Sequence, residues 1–208
     1  MGVLGGTFNP PHLGHLALAR SARAELGLER VLMMPAHLPP HKASGERPGS
    51  RQRLRMCELL VEGAEGLCAS ALEIERGGAS YTVDSLRALH AEHPEVRLTF
   101  ILGADTARTL GSWREPAQLL ELAGLAVATR GDAPRRDVLD AVARVAGAPV
   151  PEGSQSVRFL EMGPIEVSSS MVRDCVRRGE PVEHLVGAAV AGFIAEQALY
   201  RAPVEAAR

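Results

Sequence analysis

The sequence predicts an α/β protein: one domain built on a mostly parallel sheet with helices on both faces. Three observations carry that prediction. A continuous apolar run at 31–34 and apolar-rich runs at 98–102 and 125–129 have the character of strands buried on both sides. Segments with helical spacing alternate with them, the first carrying Leu16, Leu18, Ala19, Ala22 and Leu26. The length of 208 residues suits one sizeable core and is short for two domains with a linker. Residues 1–208 are therefore read as one domain, with a C-terminal helical portion at about 168–200.

The chain opens MGVLGGTFNPPHLGHL. Val3 and Leu4 begin a strand, Gly5-Gly6 and Thr7 to Pro11 make a turn, and His12-Leu13-Gly14-His15 starts a helix. Such a helix N-terminus suits an anion, because its first backbone N–H groups have no internal partners and the helix dipole is positive there. His12 and His15, three apart, share a face of the first turn and can donate to one phosphate. Gly14, without a β-carbon, is expected to let a ligand approach the backbone. Gly27 ends the helix, and the buried strand at 31–34 follows, ending at Pro35.

Residues 36–49, AHLPPHKASGERPG, form a loop long enough to be functional. It holds His41 and Lys42, the only lysine among 23 basic residues. A compact, flexible point charge is wanted there in place of arginine's planar fork. Ser50 then caps a helix from 51 to about 62, with Leu54, Cys57, Leu60 and Val61 inward. Arg51, Arg53 and Arg55 alternate and read as a solvated face. A third strand is expected over Leu67 to Ile74, then a turn at Gly77-Gly78. Ser80 or Thr82 can cap the next helix, which carries Val83, Leu86 and Leu89 inward.

Past the strand at 98–102 lies Gly103-Ala104-Asp105. An acid just beyond the carboxyl end of a parallel strand sits where open α/β sheets bind ligands. Its oxygens suit ribose hydroxyls or a phosphate-held cation, although a helix cap is the plainer use. Trp113, the only tryptophan, lies in the polar stretch GSWREP, where an indole either joins the core or stacks on a flat base. The run 125–129 ends at Arg130. A charged turn at 132–136, a helix at 137–147, a connecting loop at 147–156 and a short strand at 157–160 follow. Ser168, Ser169 and Ser170 then run into a helix with Arg173 one turn in. That is a second helix-N-terminal anion site, or a plain serine cap.

Composition excludes several function classes. A net charge of −2 and 3% aromatic residues give no footprint for nucleic acid. No apolar run approaches the roughly 20 residues of a membrane span, and no charged-then-apolar leader is expected. Cys57, Cys68 and Cys175 are scattered without metal spacing and read as thiols in a reducing cytoplasm.

GGTFNPPHLGH resembles the N-terminal signature of the nucleotidylyltransferase superfamily. More closely it is similar to GGTF-D-P-x-H-x-G-H of the bacterial nicotinate mononucleotide adenylyltransferases, with Asn9 where that family commonly has Asp. S-Y-T-V-D-S-L at 80–86 resembles the family's S-Y-T-x-D-T-L, and V-S-S-S-M-V-R at 167–173 resembles its I-S-S-T-x-I-R. P-P-H-K at 39–42 matches its lysine-bearing loop, and the tail to Tyr200 its closing helices, with Gly187 for the usual Pro.

The resemblance, spanning Gly5 to Tyr200, implies a Rossmann-like nucleotidylyltransferase fold. It also implies adenylyl transfer from ATP to nicotinate mononucleotide, a cytoplasmic step of NAD biosynthesis, with Mg²⁺ carried by ATP and no metal site of the protein's own. His12, His15, Lys42 and Arg173 become the expected catalytic residues. Gly5, Gly6, Thr7, Phe8, Gly103, Asp105, Ser169 and Ser170 join them around ATP. Thr82 and Trp113 would meet the pyridine ring, and Thr82, Trp113, Arg130 and backbone N–H groups are the candidate donors to its carboxylate.

Phosphopantetheine adenylyltransferase, which shares the front motif but not S-Y-T-x-D, stays as an alternative. So does a nucleotide-binding regulatory module without turnover. The oligomeric state, homo-oligomers included, is left open.

Overall fold

Every pairing in the sheet is parallel, and its strand order is β3-β2-β1-β4-β5-β6. The computed structural model describes residues 1–39, 48–130, 135–151, 154, 156–163 and 166–201. The chain runs β1 (Gly2–Gly6), α1 (Leu13–Leu26), β2 (Val31–Pro35), α2 (Ser50–Val61), β3 (Leu67–Ala69), α3 (Leu72–Arg76), α4 (Thr82–Glu92) and β4 (Leu98–Gly103). It continues through α5 (Ala104–Arg108), a 3₁₀ turn (Leu110–Ser112), α6 (Pro116–Leu122), β5 (Ala123–Arg130), α7 (Arg135–Ala146) and β6 (Val157–Met162). Three helices close it: α8 (Ser169–Arg178), α9 (Glu183–Val186) and α10 (Ala188–Glu196). No helix among the described residues is long and apolar enough to cross a membrane.

Side chains alternate across the sheet, so each strand feeds two cores. Leu4, Met33, Ile101, Ala126 and Leu160 face one side, where α1, α2 and the closing helices pack through Leu16, Met56, Val172 and Val190. Val3, Met34, Phe100, Leu125 and Val127 face the other, against α4, α5, α6 and α7 through Leu86, Ala107, Leu119 and Val138. Burial on both sides explains why these strands read as continuous apolar runs.

Several expectations are corrected. The third strand stops at Ala69, after Leu67, Cys68 and Ala69 pair with Val31, Leu32 and Met33 of β2. Ser70 N–H makes one more bond to Met33 O, at 2.9 Å, and the chain then winds into α3. That turn buries Glu73 and lets it accept a 2.5 Å hydrogen bond from Ser85 of α4. α7 begins at Arg135, ahead of the expected start at Asp137. The helix after Gly78 is capped by neither Ser80 nor Thr82. Tyr81 is its N-cap and Thr82 its first residue, while Ser80 is buried and accepts from His37 N–H at 2.8 Å.

Arg53 departs furthest from its reading. It lies on α2 facing inward, 5% exposed. Its guanidinium donates to Thr7 O at 2.7 Å, Ala36 O at 2.6 Å and His37 O at 3.1 Å. The fork thereby ties the turn after β1 to the start of the segment after β2, and no alternation on α2 could announce acceptors from loops 16 and 46 residues away.

Arg53→Ala strands three carbonyls and is expected to lower stability to urea by about 3 kcal/mol. Arg53→Lys should recover less than half, because one ammonium cannot span both loops. A loss under ~0.5 kcal/mol for Arg53→Ala would remove this role.

Candidate active site

β1 and β4 are neighbours, and the strand order reverses between them, since the chain leaves β1 for β2 on one side and arrives at β4 on the other. Open α/β sheets bind ligands in the crevice at the carboxyl ends of strands beside such a switch point. The turn after β1 and the first turn of α1 stand there, and Gly103 ends β4 next to them.

His12 is the N-cap of α1 and is buried, while His15 is half-buried three residues on. His15 Nδ1 accepts the His12 backbone N–H at 3.2 Å. A neutral ring that accepts at Nδ1 carries its proton on Nε2, so the hydrogen-bond network assigns His15 as an Nε2–H donor. The two rings stack at 3.7 Å, and the edge of Phe8 meets His15 at 4.9 Å. Phe8 is buried with φ 49°, a left-handed turn that directs its ring back over Gly6. A β-carbon on Gly6 would lie 3.2 Å from that ring, and one on Gly5 3.3 Å from Phe100.

The glycine of the histidine motif serves a different purpose from the one expected. A β-carbon on Gly14 would sit 3.0 Å from both His12 Nδ1 and Val167 Cγ1. The space is therefore taken by the neighbouring histidine and by the residue that leads into α8. Gly14 lets the two motifs close on one another.

That closure is polar as well. Ser168 caps α8, accepting from Met171 N–H at 3.1 Å. Ser169 donates its hydroxyl to Pro10 O at 2.8 Å. Arg173 donates to Asn9 O at 2.7 Å and to Ser170 Oγ at 3.1 Å. Tyr200, beyond α10, donates to Asn9 Oδ1 at 2.7 Å. Burial pushes its phenol well above the usual range, against the opposing effect of Arg173 and Arg53, so it stays a neutral donor. The structure thus brings His12, His15, Ser169, Ser170 and Arg173 to one loop, with Ser170 exposed at the start of α8. Thr7 lies in that loop and offers its carbonyl to Arg53.

A second wall comes from α4 and the turn before α6. Trp113 is half-buried, meets Phe100 edge-on at 5.9 Å, and donates from Nε1 to Thr109 Oγ1 at 3.3 Å. Phe100 in turn fills the space over Gly5, so an aromatic series leads from the front loop to the indole. Arg114 lays its guanidinium over Tyr81 at 4.7 Å and reaches Asp84 at 3.4 Å. It thereby couples the Thr82 segment to the Trp113 segment. Asp105 is in the first turn of α5, exposed and paired with Arg108 at 2.6 Å. Arg130 ends β5, with its side chain outside the described residues, as are His41 and Lys42. Arg53, Phe100, Arg114 and Tyr200 are the site-building residues that sequence reasoning missed.

A family model described as cytidylyltransferase-like matches residues 3–175. A Streptococcus pyogenes serotype M1 protein named "Probable nicotinate-nucleotide adenylyltransferase" is 36% identical over 201 residues, covering 97% of this chain and 88% of its own. One of the same name from Symbiobacterium thermophilum is 38% identical over 198 residues, covering 95% and 93%. The chain belongs to the cytidylyltransferase-like family, among its nicotinate-nucleotide adenylyltransferases. Among solved structures, a Plasmodium falciparum nicotinic acid mononucleotide adenylyltransferase complexed with NaAD superposes with a TM-score of 0.71 over 96% of both chains. At 17% identity that likeness supports the shared fold.

In this cytidylyltransferase-like chain the two terminal motifs pack closely at position 14, where a β-carbon would press on His12 and Val167. Gly14→Ala is expected to displace the His12 ring or Val167 and cost about 1–3 kcal/mol in thermal or urea unfolding. A neutral effect would show that α1 and α8 have room to spare.

Proposed function

We propose that this protein transfers the adenylyl group of ATP to nicotinate mononucleotide, giving nicotinate adenine dinucleotide and pyrophosphate. The observation that carries the reading is the docking of Ser169 and Arg173 onto the carbonyls of Pro10 and Asn9. It sets the N-terminus of α8 beside that of α1, so two anion-attracting helix ends, two histidines and an arginine surround one loop. A polyphosphate is the ligand that such a concentration of donors fits. The named relatives match across nearly the whole chain, which supports the same acceptor here.

The chemistry asks for alignment and charge stabilisation. A 5′-phosphate oxygen of the acceptor attacks the α-phosphorus of ATP in line, forming one P–O bond as the bond to the β-phosphate oxygen breaks. The attacking group is already an anion, so no covalent enzyme intermediate is needed. Charge builds on the transferred group and on the leaving pyrophosphate, where preorganised donors act most strongly. His15, its Nε2–H fixed by the His12 amide, and His12 beside it are assigned to the transferred group. Arg173, Ser170 and Lys42 are assigned to the leaving phosphates.

Gly5, Gly6, Thr7, Phe8, Gly103, Asp105 and Ser169 line the ATP side in this reading. Thr82, Trp113 and Arg130 serve the acceptor side. Mg²⁺ is read as arriving with the phosphates of ATP. Residues 1–208 act as one domain. Free Cys57, Cys68 and Cys175 fit a reducing cytoplasm.

Pyrophosphate release from Mg-ATP is expected with nicotinate mononucleotide well above nicotinamide mononucleotide and phosphopantetheine. Release mainly with phosphopantetheine would replace the acceptor, and ATP binding without any release would leave a regulatory module. Two variants then separate the roles of His15. Asn places an acceptor near Nδ1 but has no donor at Nε2. His15→Asn should keep stability within ~1 kcal/mol while kcat falls about 10²–10³-fold. His15→Gln, with its amide nitrogen near the Nε2 position, should retain more activity than His15→Asn. The reverse order would contradict the assigned tautomer.

A further inference from the structure

We propose that Arg114 is the cation through which the acceptor side selects an acidic pyridine over its amide, an assignment that rests on the reading above. Two carboxylates are shared unequally between two arginines. Asp84 and Glu115 lie between Arg87 and Arg114. Arg87 takes Asp84 Oδ1 at 3.0 Å and pairs closely with Glu115 and with Gln118. Arg114 is left with the far oxygens, Asp84 Oδ2 and Glu115 Oε1, each at 3.4 Å. The acids are thus engaged chiefly by Arg87, whereas Arg114 remains half exposed and loosely held.

Arg114 follows Trp113 directly, and its guanidinium lies over Tyr81, which directly precedes Thr82. Trp113 and Thr82 are the two residues assigned to the pyridine ring, so the guanidinium bridges the segments that carry both. Glu115, the next residue, has φ 47°, a left-handed backbone costly for a side-chain-bearing residue. Its tie to Arg87 holds that turn, and with it the direction from which Arg114 leaves the chain. A planar fork that stacks on Tyr81 and keeps N–H groups in reserve suits a planar carboxylate, where an amide would return neither the charge nor a second acceptor.

The test compares kcat/KM for nicotinate mononucleotide and nicotinamide mononucleotide in the wild type, Arg114→Gln and Arg114→Lys. Fluorescence of the single tryptophan, Trp113, reports acceptor binding directly. Arg114→Gln is expected to lower kcat/KM for the acid about tenfold more than for the amide, mainly through KM. KM for ATP should stay within about twofold, and the fluorescence titration should show the same weakening for the acid. Arg114→Lys should retain most of the preference, since it keeps the charge.

Equal losses for acid and amide, or a Lys variant no better than Gln, would make Arg114 a structural bridge and overturn the proposal. Should Arg114→Gln fail to fold, Arg114→Met, which keeps the aliphatic stem over Tyr81, carries the same comparison. A wild type that turns over neither pyridine nucleotide would overturn the functional reading itself, and the assignment with it. A wild type that prefers the acid, with an Arg114→Gln variant that keeps that preference in full, would overturn this assignment alone.

Discussion

Two backbone carbonyls, those of Asn9 and Pro10, hold the structure's functional end together. They accept hydrogen bonds from Arg173 and Ser169, residues 164 and 159 positions further along the chain. Without that pairing, the sheet would still present α1 at its switch point, but α8 would have no reason to start beside it. With it, two helix N-termini face one region, each an attractive end for negative charge. Tyr200 secures the same loop from the far end of the described chain by bonding the Asn9 side chain.

The same device recurs around the crevice. Arg53 grips carbonyls of both flanking loops from α2, and Ser80 receives the His37 amide across the gap to α4. Side chains in and beside the helices thus fix irregular backbone whose polar groups would otherwise be buried without partners. His15 is fixed likewise, through a ring nitrogen to a backbone N–H. A phosphate-transfer site gains from such rigidity, because donors already aimed at the developing charge need not reorganise during the reaction.

How much of this was legible in the sequence depends on the range of the interaction. Strands buried on both faces, β2, β4 and β5, are continuous apolar runs whose neighbours hardly matter, and they are read directly. β3 ends after three paired residues, where the chain winds into α3 and Glu73 meets Ser85 of α4, 12 residues further on. α5 and α6, of five and seven residues, are too short to show a helical period. The histidine pair and the serine run are local motifs, and their placement at helix starts was visible. What they touch was not. Gly14 reads as an opening for a ligand, whereas His12 and Val167 occupy that space. Arg53 reads as solvated, whereas its acceptors come from two loops that meet it only in the fold.

The central claim is that the crevice joined by Asn9 and Pro10 moves the α-phosphoryl of ATP, with its adenosine, to nicotinate mononucleotide. Labelling ATP separately at the α- and γ-phosphates, and separating the products formed with that acceptor, tests it most directly. α-Label is expected in a dinucleotide and γ-label in pyrophosphate. Transfer of γ-label to the acceptor, or γ-label released without any dinucleotide, would contradict it.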